Sequence, residues 1–359
     1  MENRRVKMSE IAKAANLSRF SVSRALVGHP SVARETVERV RRIAREMGYV
    51  HRGLIEAPDV RNKLRVGLFI PGFDLHKMEY WMTILNGAQE EAARLGLNCI
   101  IETIDRGSWD YSDLDDQLSG AIVAGHQPRS EKAILVRSAM PTVLISMPEP
   151  LERIDTVGPA TREAGHSVGN HLISLGHKAV LCLSANLQRP GDISRFAGLK
   201  DAYADVPDAS ITIRELAADQ PALDQLLAFG VGKNDITALF CATDDIAIAV
   251  MMALGTYGLS VPGDISVVGF NDYQQASLAT PPLTTVRVPM KAIGAAAVRQ
   301  LLWRIHNPTD ENYVRQYFVP ELIVRGTTAE ARLGPSPMDT SKSQKSIEKR
   351  RSGLEVARR

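Results

Sequence analysis

The chain has 359 residues, 44% of them apolar, and a formal net charge of +2. That length allows two or three domains. No apolar run approaches the ~18 residues of a membrane span, and the polar, charged N-terminus has no apolar signal core. The expectation is a cytoplasmic protein without membrane contact.

The small net charge conceals an asymmetry. Residues 1–50 carry eleven Lys/Arg against five Asp/Glu, and residues 331–359 carry eight against three, so the middle of the chain is acidic. A basic head on an acidic body points to a polyanionic partner for the head. The bland alternative is a surface helix with a solvated basic face. Cys99, Cys182 and Cys241 each sit in an apolar run, and their spacing matches no zinc pattern. They read as reduced core residues, and no metal or cofactor is expected.

From the N-terminus, a short helix is predicted over about Ser9–Ala15, with Ile11, Ala12 and Ala15 turned inward. Asn16, which tolerates the left-handed conformation, marks a sharp turn. Ser18 is placed to cap a second helix. There Val22, Ala25 and Leu26 share one face, so Arg19, Phe20, Ser23 and Arg24 project outward. A third helix, about 34–47, buries Val37, Val40, Ile43, Ala44 and Met47. Two helices broken by a three-residue turn, with arginines exposed on the second, fit the DNA major groove. Arg can bond guanine bidentately and Phe can touch a thymine methyl. Ser21 and Thr36 are placed to hold phosphates. Helix pairs of this kind also occur in ordinary bundles; the basic charge and exposed arginines favour DNA.

Residues 51–64 form a polar linker containing Gly53 and Pro58. From Arg65 short apolar runs alternate with amphipathic helices: runs at Val66–Ile70, Cys99–Thr103, Ala121–Ala124, Thr142–Ile145, Ala179–Leu183, Leu239–Ala242 and Ile265–Phe270, helices at about 79–95, 163–175, 192–204, 244–257 and 290–306. Gly96, Gly176 and Gly258 stop three of these helices. The pattern predicts parallel sheets covered on both faces. Some 265 residues of it are best divided into two sheets with a cleft between them. Residues 331–359, rich in Pro, Ser, Lys and Arg, read as a basic disordered tail.

Several stretches together resemble the lactose-repressor (LacI) family. The first is Glu10–Leu26 with Glu35-Thr36 and Gly48-Tyr49. Further along are His171–His177, Arg195-Phe-Ala-Gly-Leu, Ala242-Thr-Asp-Asp-Ile-Ala, Val261–Asp272 and Pro281–Val286. The resemblance covers roughly residues 6–327. It implies a helix-turn-helix head (1–50), a hinge (51–64) and a body (65–330) like that of periplasmic binding proteins. The body would hold two doubly wound parallel-sheet subdomains, one of about 65–158 plus 288–320, the other of about 159–286 plus 321–330. It implies a homodimer on a near-palindromic double-stranded operator, with Arg19, Phe20 and Arg24 as base readers and Ser21 and Thr36 on phosphates. The usual caps before the first and third helices are Lys7 and Ala33 here, leaving Ser9 and Ser31 as candidate replacements. The family's minor-groove wedge position falls at or near Pro58 here, leaving Leu54 or Ile55 as candidate wedges. Pro58 and Gly53 disfavour a regular hinge helix, so a plain tether is the alternative.

The resemblance also places a small-molecule effector between the subdomains. By position it would meet Tyr80, Trp81, Arg195, Thr243, Asp244, Asn271 and Asp272, with Trp109 a further candidate for stacking. Acceptors that sugar hydroxyls want are partly replaced by Thr and Asn. A sugar stacked on Trp81 or Trp109 and a neutral or anionic ligand facing Arg195 both stay open, and these aromatics suit core packing or a lid equally well. The implied function is a metabolite-controlled transcriptional repressor. An activator or co-repressor-dependent regulator of the same build is the alternative, and a solute-binding protein is disfavoured by the missing signal core. An enzyme is not expected: Gly230-Val-Gly-Lys-Asn-Asp lacks the third glycine and the preceding strand of a dinucleotide motif.

Overall fold

The computed structural model describes residues 8–18, 21–22, 25, 32–47, 64–71, 78–104, 118–125, 135, 140–147, 151–232 and 236–332. In the head, α1 spans Met8–Ala15 and α2 spans Arg34–Glu46. Ser21, Val22 and Ala25 between them are also helical. Asn16 takes φ +52°, and the Leu17 N–H donates to the Ala12 carbonyl at 3.0 Å. Ile11, Ala12, Ala15, Val22, Ala25, Val40 and Ala44 close one small core. Val37, expected in that core, is only half-buried. Ser9 lies inside α1 and so does not occupy its N-cap position; Ser31 lies outside the described residues.

The body begins with β1 (Arg65–Pro71), α3 (Met78–Arg94), β2 (Asn98–Ile104), β3 (Gly120–Ala124), β4 (Thr142–Ile145) and β5 (Asp155–Pro159). It continues with α4 (Thr161–Ser174), β6 (Ala179–Ser184), α5 (Pro190–Ala202), β7 (Ser210–Glu215), α6 (Ala222–Ala228), β8 (Ala238–Cys241), α7 (Asp244–Tyr257), β9 (Ser266–Val268) and α8 (Gln274–Leu278). It ends with β10 (Thr285–Arg287), α9 (Met290–His306), β11 (Arg315–Phe318) and β12 (Glu321–Ile323). A six-stranded parallel sheet runs β11–β5–β4–β3–β1–β2, and a four-stranded parallel sheet runs β7–β6–β8–β9. The expectation of two parallel α/β lobes is borne out.

Both faces of each sheet are covered, which is why the strands read as continuous apolar runs. In the second sheet Val180, Cys182, Ala238 and Phe240 face one core, while Leu181, Leu183, Leu239 and Cys241 face the other. The alternation follows the two-residue period of a strand. The cysteines are free. Burial pushes the Cys99 thiol up to about 11 and raises those of Cys182 and Cys241 further. Helices α4 and α5 pack backbone to backbone. A Cβ on Gly165 would lie 1.9 Å from the Arg195 carbonyl oxygen, and one on Gly198 would lie 1.9 Å from that of Arg162. Only glycine permits this approach, and it sets where α5 presents Arg195.

The chain passes between the lobes three times: from β5 into α4, from β10 into α9 and from β11 to β12. The Ala160 N–H donates to the Phe318 carbonyl at 2.8 Å, and β10 pairs antiparallel with β12. At the C-terminal end the Ala331 N–H donates to the Leu175 carbonyl at 2.7 Å, and Arg332 pairs with Asp264 at 3.1 Å. Contacts of the body therefore reach Arg332, two residues into the segment expected as tail, with Ala331 serving one of the carbonyls at the end of α4. The rest of that tail and nearly all of the hinge, including Leu54, Ile55 and Pro58, lie outside the described residues.

Candidate functional site

Two sites follow from this architecture, one on the head and one between the lobes. On the head, the Ser21 N–H donates to Ser18 Oγ at 3.0 Å, and the two hydroxyls stand 2.9 Å apart. Ser18 therefore satisfies a free amide at the start of the second helix. Thr36 stands in the first turn of α2, half-buried. Arg19, Phe20, Ser23 and Arg24 lie outside the described residues, as does Ser31.

Between the lobes is a cleft of about 120 Å³. Tyr80 and Trp81 from α3 line it, with Ser146 just past β4 and Pro159 ending β5. The second lobe supplies Thr161, Arg189, Gly191, Asp192, Arg195, Thr243 and Asn271. These residues gather beyond the carboxyl ends of parallel strands, where open α/β sheets bind ligands. The volume is on the scale of the ~150 Å³ cavity that admits benzene, so it suits a single ring.

Five sequence-predicted positions meet here: Tyr80, Trp81, Arg195, Thr243 and Asn271. Tyr80 and Trp81 pack edge to face with centroids 4.9 Å apart. The Trp81 indole N–H is buried without a hydrogen-bond partner. The Arg195 guanidinium lies 3.8 Å over the Phe270 ring. It donates to the Ala242 carbonyl through Nη1 and to the Gly191 carbonyl through Nε at 3.2 Å. Its Nη2 stands 3.7 Å from Asp192 Oδ1, while Asp192 Oδ2 accepts from Ser184 Oγ at 2.6 Å. Asn271 holds φ +113°, a region non-glycine residues avoid, and its Nδ2 donates to the Tyr273 hydroxyl at 2.9 Å. Such strain persists only where the surroundings over-determine it, often at binding sites.

Two expected contacts lie elsewhere. Asp244 is fully buried behind Thr243 and accepts from the Tyr273 N–H at 2.7 Å and from the Thr285 hydroxyl. Asp272 is held by Arg287 at 2.8 Å and Arg325 at 2.6 Å. In each case a carboxylate takes the interior donors on offer instead of facing the cleft. Trp109 lies outside the described residues. Arg189, Gly191, Asp192 and Ser146 were missed; Ser146 directly follows β4, and the other three open the helix that follows β6, which was the available signal. Next to Tyr80, Glu79 Oε1 on α3 accepts from the Gln274 N–H of the other lobe at 3.0 Å.

Burial pushes the Asp244 carboxyl up to about 6, against the lowering effect of its two hydrogen bonds. The folded state then holds this proton more tightly than the unfolded chain. The group adds nothing above about pH 7 and stabilises progressively as pH falls toward 4, by roughly 3 kcal/mol in full. His171 and His177, lowered chiefly by burial, act in the opposite sense over part of that range. The difference between wild type and Asp244→Asn isolates the carboxyl. Urea unfolding between pH 7.5 and 5 is expected to show the variant losing more stability on acidification than wild type. Parallel pH profiles would refute the assignment.

Residues 7–51 match the bacterial regulatory proteins of the lacI family, and residues 170–328 match the periplasmic binding protein-like domain. The transcriptional regulator MalR of Streptomyces coelicolor is 31% identical over 348 residues, covering 90% of this chain and 97% of that protein. The ribose operon repressor of Haemophilus influenzae is 25% identical over 329 residues, covering 89% and 97%. Among solved structures, a complex of the regulator CelR with cellobiose superposes with a TM-score of 0.64 at 24% identity, over 90% of this chain and all of that one. The lac repressor dimer bound to operator and an anti-inducer gives 0.64 at 23%, over 91% of this chain and all of that one. With MalR alike from end to end at this identity, the chain belongs to the lacI family of bacterial regulatory proteins and is a DNA-binding transcriptional regulator.

Proposed function

We propose that this protein is a homodimeric repressor whose affinity for a near-palindromic operator is set by a ring-sized polar metabolite held between the lobes. The observation that carries this reading is one chain joining a capped helix-turn-helix core to a two-lobed cleft lined from both sides. Relatives named as a ribose operon repressor and as the HTH-type transcriptional repressor PurR support the repressor role. Cellobiose and ribose in structures of the same fold support a small polar ligand.

The mechanism follows from the connections. A ligand bridging Tyr80 and Trp81 on one side and Arg195 and Asn271 on the other favours the closed arrangement. Closure turns one lobe against the other about the three connecting segments and alters the spacing of the two heads. The ligand must bind one arrangement better than the other for this to occur.

Selection of full-length protein on a random duplex pool is expected to return sites with two-fold symmetry, half-sites about one helical turn apart. Affinity for the selected duplex should fall about 10³-fold or more between 50 and 200 mM salt, as expected for some six or more phosphate contacts. No enrichment over random competitor, with and without ribose, cellobiose and purine bases, would sink the proposal.

A further inference from the structure

We infer that Glu79 is a latch between the lobes: its carboxylate, set on the first amide of α8, holds the arrangement in which α3 and α8 meet. This inference rests on the reading of the cleft as an effector site and concerns how closure of that site is controlled.

The bond crosses between the lobes outside the three connecting segments. Glu79 stands in the first turn of α3, and its Oε1 accepts from the Gln274 N–H of the second lobe at 3.0 Å. The amides that open a helix have no acceptor within it. The N-cap residue of α8, Tyr273, supplies no side-chain cap. Carboxylates from both lobes serve instead. Asp244, in the second lobe, takes the Tyr273 N–H at 2.7 Å, and Glu79, in the first, takes the next amide. A carboxylate on a backbone N–H is a charge-assisted bond, about twice as strong as a neutral one. Parting the lobes breaks this bond while those within each lobe persist. It therefore weighs on the balance between arrangements and not on the fold of either lobe.

A like charge works against the latch. Asp245 stands beside Asp244 in the first turn of α7, and burial together with the Glu79 charge raises its carboxyl. Two carboxylates brought together by closure repel. One bond holds the arrangement and one repulsion loosens it, so a change in either shifts the balance.

The neighbours of the latch tie it to the cleft. Tyr80 and Trp81 follow Glu79 on α3 and line the cleft. On the other side Tyr273 precedes Gln274, and its hydroxyl accepts from Asn271, which lines the cleft too. Between them Asp272 is held by Arg287 of β10 and by Arg325 just after β12. A ligand bridging Tyr80 and Asn271 thus acts on the same equilibrium that Glu79 sets, as a ligand that prefers one arrangement must.

The test uses full-length protein with no small molecule added. Glu79→Ala removes the acceptor, Glu79→Gln keeps it without the charge, and Asp245→Asn removes the repulsion. Hydrogen exchange over residues 272–279 reads the latch, small-angle scattering reads the lobes, and competition mobility shifts on the selected duplex read the heads. Glu79→Ala is expected to speed exchange of the Gln274 amide about tenfold and to raise the radius of gyration. Asp245→Asn should slow that exchange roughly twofold, and should lose the effect when combined with Glu79→Ala. Glu79→Gln should lie nearer wild type than Glu79→Ala. Operator affinity should move in opposite directions in Glu79→Ala and Asp245→Asn. Unchanged exchange and scattering in Glu79→Ala overturn the latch. A loss of urea stability in Glu79→Ala that accounts for its faster exchange also overturns it, since Glu79 would then serve the fold of a lobe. Exchange and scattering that shift as expected, with operator affinity unchanged in every variant, uphold the latch and sink lobe closure as the route to the heads.

Discussion

Truncating Asp155 to alanine is expected to cost about 3–5 kcal/mol of folding stability, the range for removing one partner of a buried ion pair. Arg304 on α9 grips Asp155 on β5 with both prongs, Nε to Oδ2 at 2.7 Å and Nη2 to Oδ1 at 2.8 Å. The side chains are 8% and 0% exposed. Arg304 also donates to the carbonyls of Asp310 and Asn312 and lies 4.9 Å from the Tyr313 ring centroid, while Asp155 accepts from the Val314 N–H. The pair thus shapes the loop that delivers β11 to the edge of the first sheet. Without the carboxylate a guanidinium is left buried and uncompensated. Urea unfolding of Asp155→Ala measures the loss. The double variant Asp155→Leu with Arg304→Met should recover most of it, because apolar replacement removes the stranded charge. A single variant within 1 kcal/mol of wild type would show the pair to be dispensable.

The second large effect concerns DNA. Arg24→Ala is expected to remove one bidentate base contact from each head, at about 1–3 kcal/mol apiece. A dimer carries two heads, so the preference for the selected duplex over random competitor should fall roughly 30- to 3 × 10⁴-fold. Binding to random duplex at the same salt should change far less, since phosphate contacts supply most of it. Competition mobility shifts give both numbers. A uniform loss on both duplexes would reassign Arg24 to the phosphate backbone, and an unchanged ratio would remove it from the interface.

Much of the fold was legible because burial leaves a periodic trace. The helices at 244–257 and 290–306 stand where their apolar spacing put them, and most of the central strands coincide with apolar runs. Two of the four edge strands of the parallel sheets escaped. Ser210–Glu215 and Arg315–Phe318 flank their sheets and are largely exposed, so they lack a buried run to announce them. The turn at Asn16 and the cap at Ser18 were readable because both depend on one or two residues acting locally.

The cleft divided along the same line. By itself the sequence determined the basic head, the two-lobed α/β body and the family, since periodicity, capping and ordered motifs are written over short stretches. The tertiary structure decided which side chains converge. Ser146 and Arg189 come together from different lobes only because three strands of chain connect them side by side. Asp244 and Asp272, adjacent in sequence to residues that do line the cleft, turn away because the Tyr273 amide, the Thr285 hydroxyl and two arginines reach them first. A carboxylate goes to the donors that long-range packing brings within reach, and no local pattern encodes that choice.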